Sequence, residues 1–258
     1  MSSEPGSMVW IVLPAYDEAD NIGRLLGEIL ATWQETLPHR ALRVLVVDDG
    51  SSDSTADVVR EVAARHPDHV ELLQHQQNQG LAEAIRTGLT TAAARSGPRD
   101  VILTMDADNS HVPGLIPSMV RALGEGYDVV IASRYQPGAR VVGLSAKRRL
   151  LSLGASFLFR ALFPIPGVRD YTCGFRAYRA ALIQPVLAEN PQFISERGFS
   201  CMVDILLKLR TRQPPVTMAE VPLLLRYDKK EGASKMNVGA TVKDTLALVA
   251  RRRLGRDD

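Results

Sequence analysis

Two carboxylates separated by a single alanine, Asp106 and Asp108, follow the apolar residues Val101, Ile102, Leu103 and Met105. A short apolar run bounded by turn formers reads as a buried strand. Alternate residues of a strand share a side, so the two carboxylates can converge on one ion. Two hard oxygen donors at the carboxyl end of a strand suit Mg2+ or Mn2+ with a phosphorylated ligand, because such ions keep open positions for phosphate oxygens. The competing reading is an acidic turn in which Asp108 caps a helix, and a pattern this short does not decide between them.

The elements around the pair carry more information. Apolar runs at residues 9–14, 42–47, 70–73, 101–105 and 127–132 read as strands. Between them lie helical patterns, with Ile22, Leu25, Leu26, Ile29 and Leu30 on one face, then Val58, Val59 and Val62, then residues 81–94. Strands alternating with helices of this length imply an α/β fold with a mostly parallel sheet and helices on both faces. Ligands in such sheets sit outside the carboxyl ends of the strands. Asp17 and Glu18, Asp48 and Asp49, and Asp106 and Asp108 all fall at such ends. There is no G-x-G-x-x-G after the first strand and no G-x-x-x-x-G-K-[ST], so neither a dinucleotide fold nor a P-loop is supported.

Beyond Arg134 the pattern changes. Residues 147–163 form a basic cluster followed by an amphipathic helix, 174–178 an extended segment and 199–209 another helix. Residues 216–225, interrupted by Pro222, read as an edge strand, and 237–253 as a helix carrying Lys243, Arg251, Arg252 and Arg253. The expected division is a catalytic domain over residues 8–226 and a basic loop with an amphipathic helix over 227–258.

A chain of 258 residues with 45% apolar and 23% charged residues has ample core for one large α/β unit. A net charge of +2 is too balanced to argue for nucleic acid. Residues 1–7 lack the features of a signal peptide, and no stretch approaches the roughly 20 apolar residues that span a bilayer. Two cysteines without metal spacing, Cys173 and Cys201, fit small packing residues in a reduced, cytoplasmic chain.

The ordered set of motifs resembles glycosyltransferase family 2, of the GT-A fold. It comprises Pro14, Ala15, Tyr16, Asp17 and Glu18; Val46, Val47, Asp48, Asp49, Gly50, Ser51, Ser52 and Asp53; Asn78, Gly80, Ala84 and Gly88; and Met105 to Asp108. Within that family Ser133, Arg134 and Tyr135, the Lys147, Arg148, Arg149 cluster, Gly174 to Tyr178, Val221 and Pro222, and Gly232 to Lys235 are similar to polyprenol-phosphate mannosyltransferases. The resemblance implies that Pro14, Tyr16 and Glu18 line the nucleotide site and that Val47 and Asp49 hold base and ribose. It implies that Asp106 and Asp108 bind the metal, with Ala107 packing against the nucleotide. Arg134 and Arg148 would face phosphates, and Lys235 the donor diphosphate. Lys229 stands where these relatives usually carry arginine, which keeps the charge but loses the bidentate fork. Met202 and Asp204 replace a typical Gln and Glu, Leu153 a common basic residue, and Ser110 a Gln that some members use on the metal.

The expected reaction follows from charge. A nucleoside diphosphate leaving group needs a metal ion and fixed cations, for which Asp106 and Asp108 and then Arg134, Lys229 and Lys235 are at hand. A hydroxyl acceptor would need a carboxylate base, whereas a lipid phosphate is already ionised and needs only positioning. No base in the family's usual context is present; Asp170 is a base candidate or a turn residue. His111 reads as loop support more than as a ligand. The expectation is an inverting transfer of mannose from GDP-mannose to a polyprenyl monophosphate. The alternatives are a UDP-sugar donor, a soluble acceptor, or a nucleotide-binding subunit without turnover. Residues 150–163 and the tail from Val238 could lie on the cytoplasmic face of a membrane, or pack on the core or a second subunit.

Overall fold

Seven consecutive residues of Val, Ile, Leu, Trp, Pro and Ala, Val9–Ala15, form strand β1, and nearly all are buried. β1 lies inside the sheet, flanked by two parallel neighbours. In the computed structural model, which describes residues 7–198, 200–232 and 247–252 and only the backbone of 146–149, the chain continues as follows. Helix α1 (Ala19–Thr36), strand β2 (Leu42–Asp48), helix α2 (Thr55–Arg65), strand β3 (Val70–Gln74), helix α3 (Leu81–Arg95) and strand β4 (Val101–Thr104) complete a βαβ series. A 3-10 turn, Pro113–Leu115, runs into α4 (Ile116–Gly124), then β5 (Val129–Ser133) and β6 (Arg140–Val142). Helix α5 (Ala146–Leu162), β7 (Arg176–Arg179), α6 (Ala180–Glu189), α7 (Ser200–Arg210), β8 (Met218–Pro222) and β9 (Leu224–Arg226) follow.

The described residues form a seven-stranded sheet ordered β3-β2-β1-β4-β7-β5-β8, with β6 and β9 paired apart from it. Only β7 runs antiparallel among the pairs of the main sheet. Parallel strands bring the ends of β1, β2 and β4 to one edge, with Ala15 beside Asp48 and Val12 beside Thr104. The three acidic loops therefore share that edge. On α1, Ile22, Leu25, Leu26 and Ile29 are at most 1% exposed. Each such side chain contributes about 1.5–3 kcal/mol through burial. Helix α3 lies directly on β1: a Cβ at Gly88 would meet Val12 Cγ1 at 2.2 Å, so only glycine allows this approach.

Several elements differ from the expectation, among them α4 and β6, which lie where no element was expected. The strand expected over residues 216–225 is split, because Leu223 turns the chain between the sheets: its N–H bonds Ser133 O while its carbonyl accepts from Arg140 N. Helix α6 lies where no helix was expected, and Pro185 inside it is what disguises the pattern. The described part of the C-terminal segment, residues 247–252, is helical and packs inward on α7. There Leu248 is buried, Arg252 Nη2 reaches Asp204 Oδ1 at 2.5 Å and Arg251 reaches Glu196 at 2.6 Å. This stretch of the tail is thus docked on the main body.

Candidate active site

The loop after β2 is built to support the loop after β1. Asp17, in the left-handed region with φ 50°, accepts from Ser52 N at 2.7 Å, and its own N–H donates to Ser51 Oγ. Glu18 N donates to Thr55 Oγ1, and Ala19 N to Asp53 Oδ2. Gly50 is required at the turn: its φ is +68°, and a Cβ there would meet the backbone of Gln77 at 2.4 Å. The Asp-Asp-Gly-Ser-Ser-Asp sequence is therefore a scaffold for residues 15–19.

Asp49 is fully engaged. Its Oδ1 accepts from Gln79 N at 2.9 Å and pairs with His75 Nδ1 at 2.7 Å, while Oδ2 accepts from Gly80 N at 2.7 Å. The carboxylate pins the loop that opens α3, so any hold on base and ribose is shared with that loop. Val47 is wholly buried under α3, close to where a Cβ of Gly88 would stand. The Val47 side chain packs in the core, so a part for this residue in holding base and ribose would fall to its backbone. Pro14 is partly buried near Asp106, Tyr16 is 37% exposed at the rim, and Glu18 is buried with Oε2 accepting from Asn21 Nδ2.

The two aspartates differ in their surroundings. Asp108 Oδ1 accepts from Ser110 N and Oγ, at 3.0 and 2.6 Å, while Oδ2 holds Lys230 Nζ at 2.6 Å. Burial would raise the Asp108 pKa, but the Lys230 ammonium and the Ser110 hydroxyl outweigh it and hold the group below its ordinary value. No donor among the described residues bonds the Asp106 carboxylate; His111 Nε2 stands 3.9 Å from Oδ2. Burial, and then the neighbouring Asp108 charge, raise the Asp106 pKa against the pull of His111. A Cβ at position 174 would approach Asp106 Oδ1 to 3.0 Å, so Gly174 leaves this oxygen room. Ala107 between the two is buried.

This arrangement fits a divalent cation. It presents hard carboxylate oxygens, one without a bonded partner and the other already directed at a cation. Among the described residues no group of three His, Cys, Asp or Glu side chains closes a metal cage. An ion here would complete its shell from ligand oxygens, as Mg2+ and Mn2+ do with phosphates. His111 lies under the loop, accepting from Asp106 N at Nδ1 and stacking on Phe175.

The cations are placed less simply than their spacing suggests. Arg134, at the end of β5, gives Nε and Nη2 to Asp170 at 2.8 and 2.6 Å, and Nη2 also to Thr172. It lies close enough to Asp106 to lower the pKa of that group. Asp170 is fully buried; desolvation alone would raise its pKa, but Arg134 and the backbone of Thr172 hold it low. That chemistry makes Asp170 an orienting partner of Arg134 and unsuited to take a proton. Lys229 turns away toward Glu28 of α1, at 3.5 Å. Lys230, next in sequence, is the one that enters the site; nothing in a Lys-Lys doublet signals which of the two faces inward. The Arg148 side chain and Lys235 lie outside the described residues. Burial pushes the thiols of Cys173 and Cys201 up to about 12, consistent with packing roles.

Asn21 and Asn109 join the site although their residue types gave no signal. Asn21 Oδ1 accepts from Glu231 N and its Nδ2 donates to Glu231 O, both at 3.1 Å, while Asn109 Nδ2 donates to Asn21 O. The segment after β9 is thereby tied across the aspartate loop.

Comparison with known proteins identifies the family. Residues 10–187 match the model of glycosyl transferase family 2. The chain is 30% identical over 246 residues to polyprenol monophosphomannose synthase of Mycolicibacterium smegmatis, covering 95% of this chain and 87% of that protein. It is 31% identical over 243 residues to undecaprenyl-phosphate mannosyltransferase of Micrococcus luteus, covering 94% and 93%. Among solved structures, glucosyl-3-phosphoglycerate synthase of Mycobacterium tuberculosis, in complex with Mn2+, UDP and glucosyl-3-phosphoglycerate, superposes with a TM-score of 0.65. The identity there is 22%, over 100% of this chain and 83% of that one. The acidic loops at one sheet edge and the match over most of the chain have one reading: this protein belongs to glycosyl transferase family 2.

Proposed function

We propose that the protein transfers mannose from GDP-mannose to a polyprenyl monophosphate with inversion, giving polyprenyl phosphomannose and GDP. The observation that carries this reading is the near-full-length likeness to two curated transferases whose names specify a polyprenol or undecaprenyl phosphomannose product or acceptor. The site chemistry supports it. Asp170, the carboxylate considered as a base, is locked on Arg134, so an acceptor that arrives ionised suits the site better than a hydroxyl.

A divalent ion, Mg2+ or Mn2+, held by Asp106 and Asp108 would supply positive charge for the departing diphosphate. Arg134 presents Nη1, which has no hydrogen-bond partner among the described residues, while Asp170 and Thr172 fix the rest of the guanidinium. Fixed in this way, Arg134 can meet a phosphate without a cost in reorganisation. An acceptor phosphate oxygen forms the new bond to the anomeric carbon as the bond to the diphosphate oxygen breaks. The electron pair leaves with GDP, and no proton moves.

A lipid acceptor would bring the protein to a membrane surface. No helix among the described residues is long and apolar enough to cross one. Helix α5 instead shows an exposed stripe of Leu150, Leu153 and Phe157, at 72%, 45% and 75%, beginning just after the basic cluster at 147–149. Apolar burial together with basic residues near anionic lipid favours interfacial binding.

The deciding experiment incubates the protein with labelled GDP-mannose, Mg2+ or Mn2+ and a polyprenyl phosphate, and extracts the product into organic solvent. Label in the organic phase is the expected result. Label only from UDP-glucose would replace the donor, and label only on a soluble acceptor would replace the lipid.

A further inference from the structure

The segment from β9 to residue 231 is fastened on both sides of the aspartate loop. Arg226 N donates to Ser110 O at 2.8 Å, and Leu225 forms a bridge with His111. At the other end Asn21 grips the backbone of Glu231 through both its amide oxygen and nitrogen. Between these anchors Lys230 sends its side chain inward to Asp108 Oδ2 at 2.6 Å, with the two side chains only 10% and 12% exposed. Ser110 occupies the other oxygen of Asp108. A divalent ion approaching Asp108 therefore meets one oxygen bonded by Ser110 and the other held by the lysine. A buried ion pair between fixed backbones persists because each partner would otherwise be left uncompensated.

We infer that Lys230 is a built-in counter-cation: it neutralises Asp108 before the metal enters, and moves onto the donor diphosphate once the metal has entered. An ammonium and a divalent ion on one carboxylate would repel each other, so Lys230 would leave Asp108 when the site is loaded. The backbone anchors at Ser110 and Asn21 stay in place, so the freed ammonium remains beside the metal, where a diphosphate brings negative charge. Metal alone would thus bind weakly, and metal with a nucleoside diphosphate strongly. Lys229 faces Glu28 on α1 and takes no part. The transfer of the lysine to the diphosphate rests on the glycosyltransferase reading of the site; its competition with the metal does not.

Mn2+ affinity of the full chain, read without nucleotide from the electron paramagnetic resonance signal of the free ion, tests the first half. Lys230→Met should bind Mn2+ about tenfold more tightly than wild type, the scale of one lost charge-assisted hydrogen bond. Lys229→Met should leave the affinity unchanged. Unchanged or weaker Mn2+ binding by Lys230→Met, or an equal gain in Lys229→Met, would overturn the inference. With Mn2+ saturating, GDP and UDP are then titrated into each variant. Lys230→Met should bind diphosphate about tenfold more weakly than wild type, and an unaltered diphosphate affinity would overturn the transfer step. Both nucleotides are used so that a base preference contrary to GDP is separated from the lysine effect. Lys230→Gln replaces Lys230→Met should melting show the latter unfolded.

Discussion

Arg134 and Asp170 form a buried pair near Asp106: the guanidinium grips both carboxylate oxygens, at 2.8 and 2.6 Å, and the Arg134 N–H adds a third bond. A cation that could hold phosphate and an acid that could act as a base thus become one unit, in which the acid aims the cation.

Asp170→Asn should therefore cost both stability and activity. Removing one partner of a buried pair leaves the other uncompensated, at about 3–5 kcal/mol. Chemical denaturation is the check, and a loss below 1 kcal/mol would show that the pair is not integral to the fold. The pH dependence has a fixed sign. The folded pKa of Asp170 lies below its ordinary value of 3.8, so its stabilising contribution is complete above that value and is lost as pH falls through the lower, folded one. The wild type should then lose stability steeply below about pH 4, and Asp170→Asn less steeply.

Asp106→Ala and Asp108→Ala should each lower turnover by about a thousandfold, as the loss of several kcal/mol of leaving-group stabilisation requires. Their effects on the metal-free protein should differ. Asp108→Ala strands the Lys230 ammonium and lowers the melting temperature, while Asp106→Ala relieves the repulsion between the two carboxylates and does not. Thermal melting of both variants, with turnover assays at saturating Mn2+, distinguishes these roles.

Gly88→Ala should destabilise the protein by about 1–3 kcal/mol through overpacking, since the new methyl would meet the stiff Val12 side chain at 2.2 Å. The double variant with Val12→Ala should recover part of that loss. No recovery in a double-mutant cycle would place the strain elsewhere.

Leu150→Asp with Phe157→Asp should abolish flotation with anionic liposomes while leaving the melting temperature unchanged, because both side chains stand in solvent. Failure of the wild type to float would remove α5 from the membrane.

Much of the architecture was legible because apolar periodicity and βαβ alternation are local signals. β1, β2, β3, β4 and β5 fall within a few residues of the runs that suggested them, and the residue 216–225 segment does hold an edge strand. Helix α6 was hidden by Pro185, and the division between β8 and β9 depends on Leu223 finding partners in two distant segments. Neither leaves a pattern in a short window.

The site divides along the same line. Sequence alone determined that carboxylates stand at three strand ends, because parallel strands with helical crossovers deliver their carboxyl ends to one edge. It also singled out Asp106 and Asp108 as the pair on which the resemblance would place a metal. Tertiary structure decided what each charge faces. Asp49 is spent on the Gln79 and Gly80 backbone, Val47 on the core, and Asp170 on Arg134. Of two adjacent lysines, Lys230 enters the site and Lys229 does not. Such pairings join residues tens to hundreds of positions apart, and a side chain's direction at a turn is set by the backbone anchors around it. For Lys230 those anchors are Ser110 and Asn21.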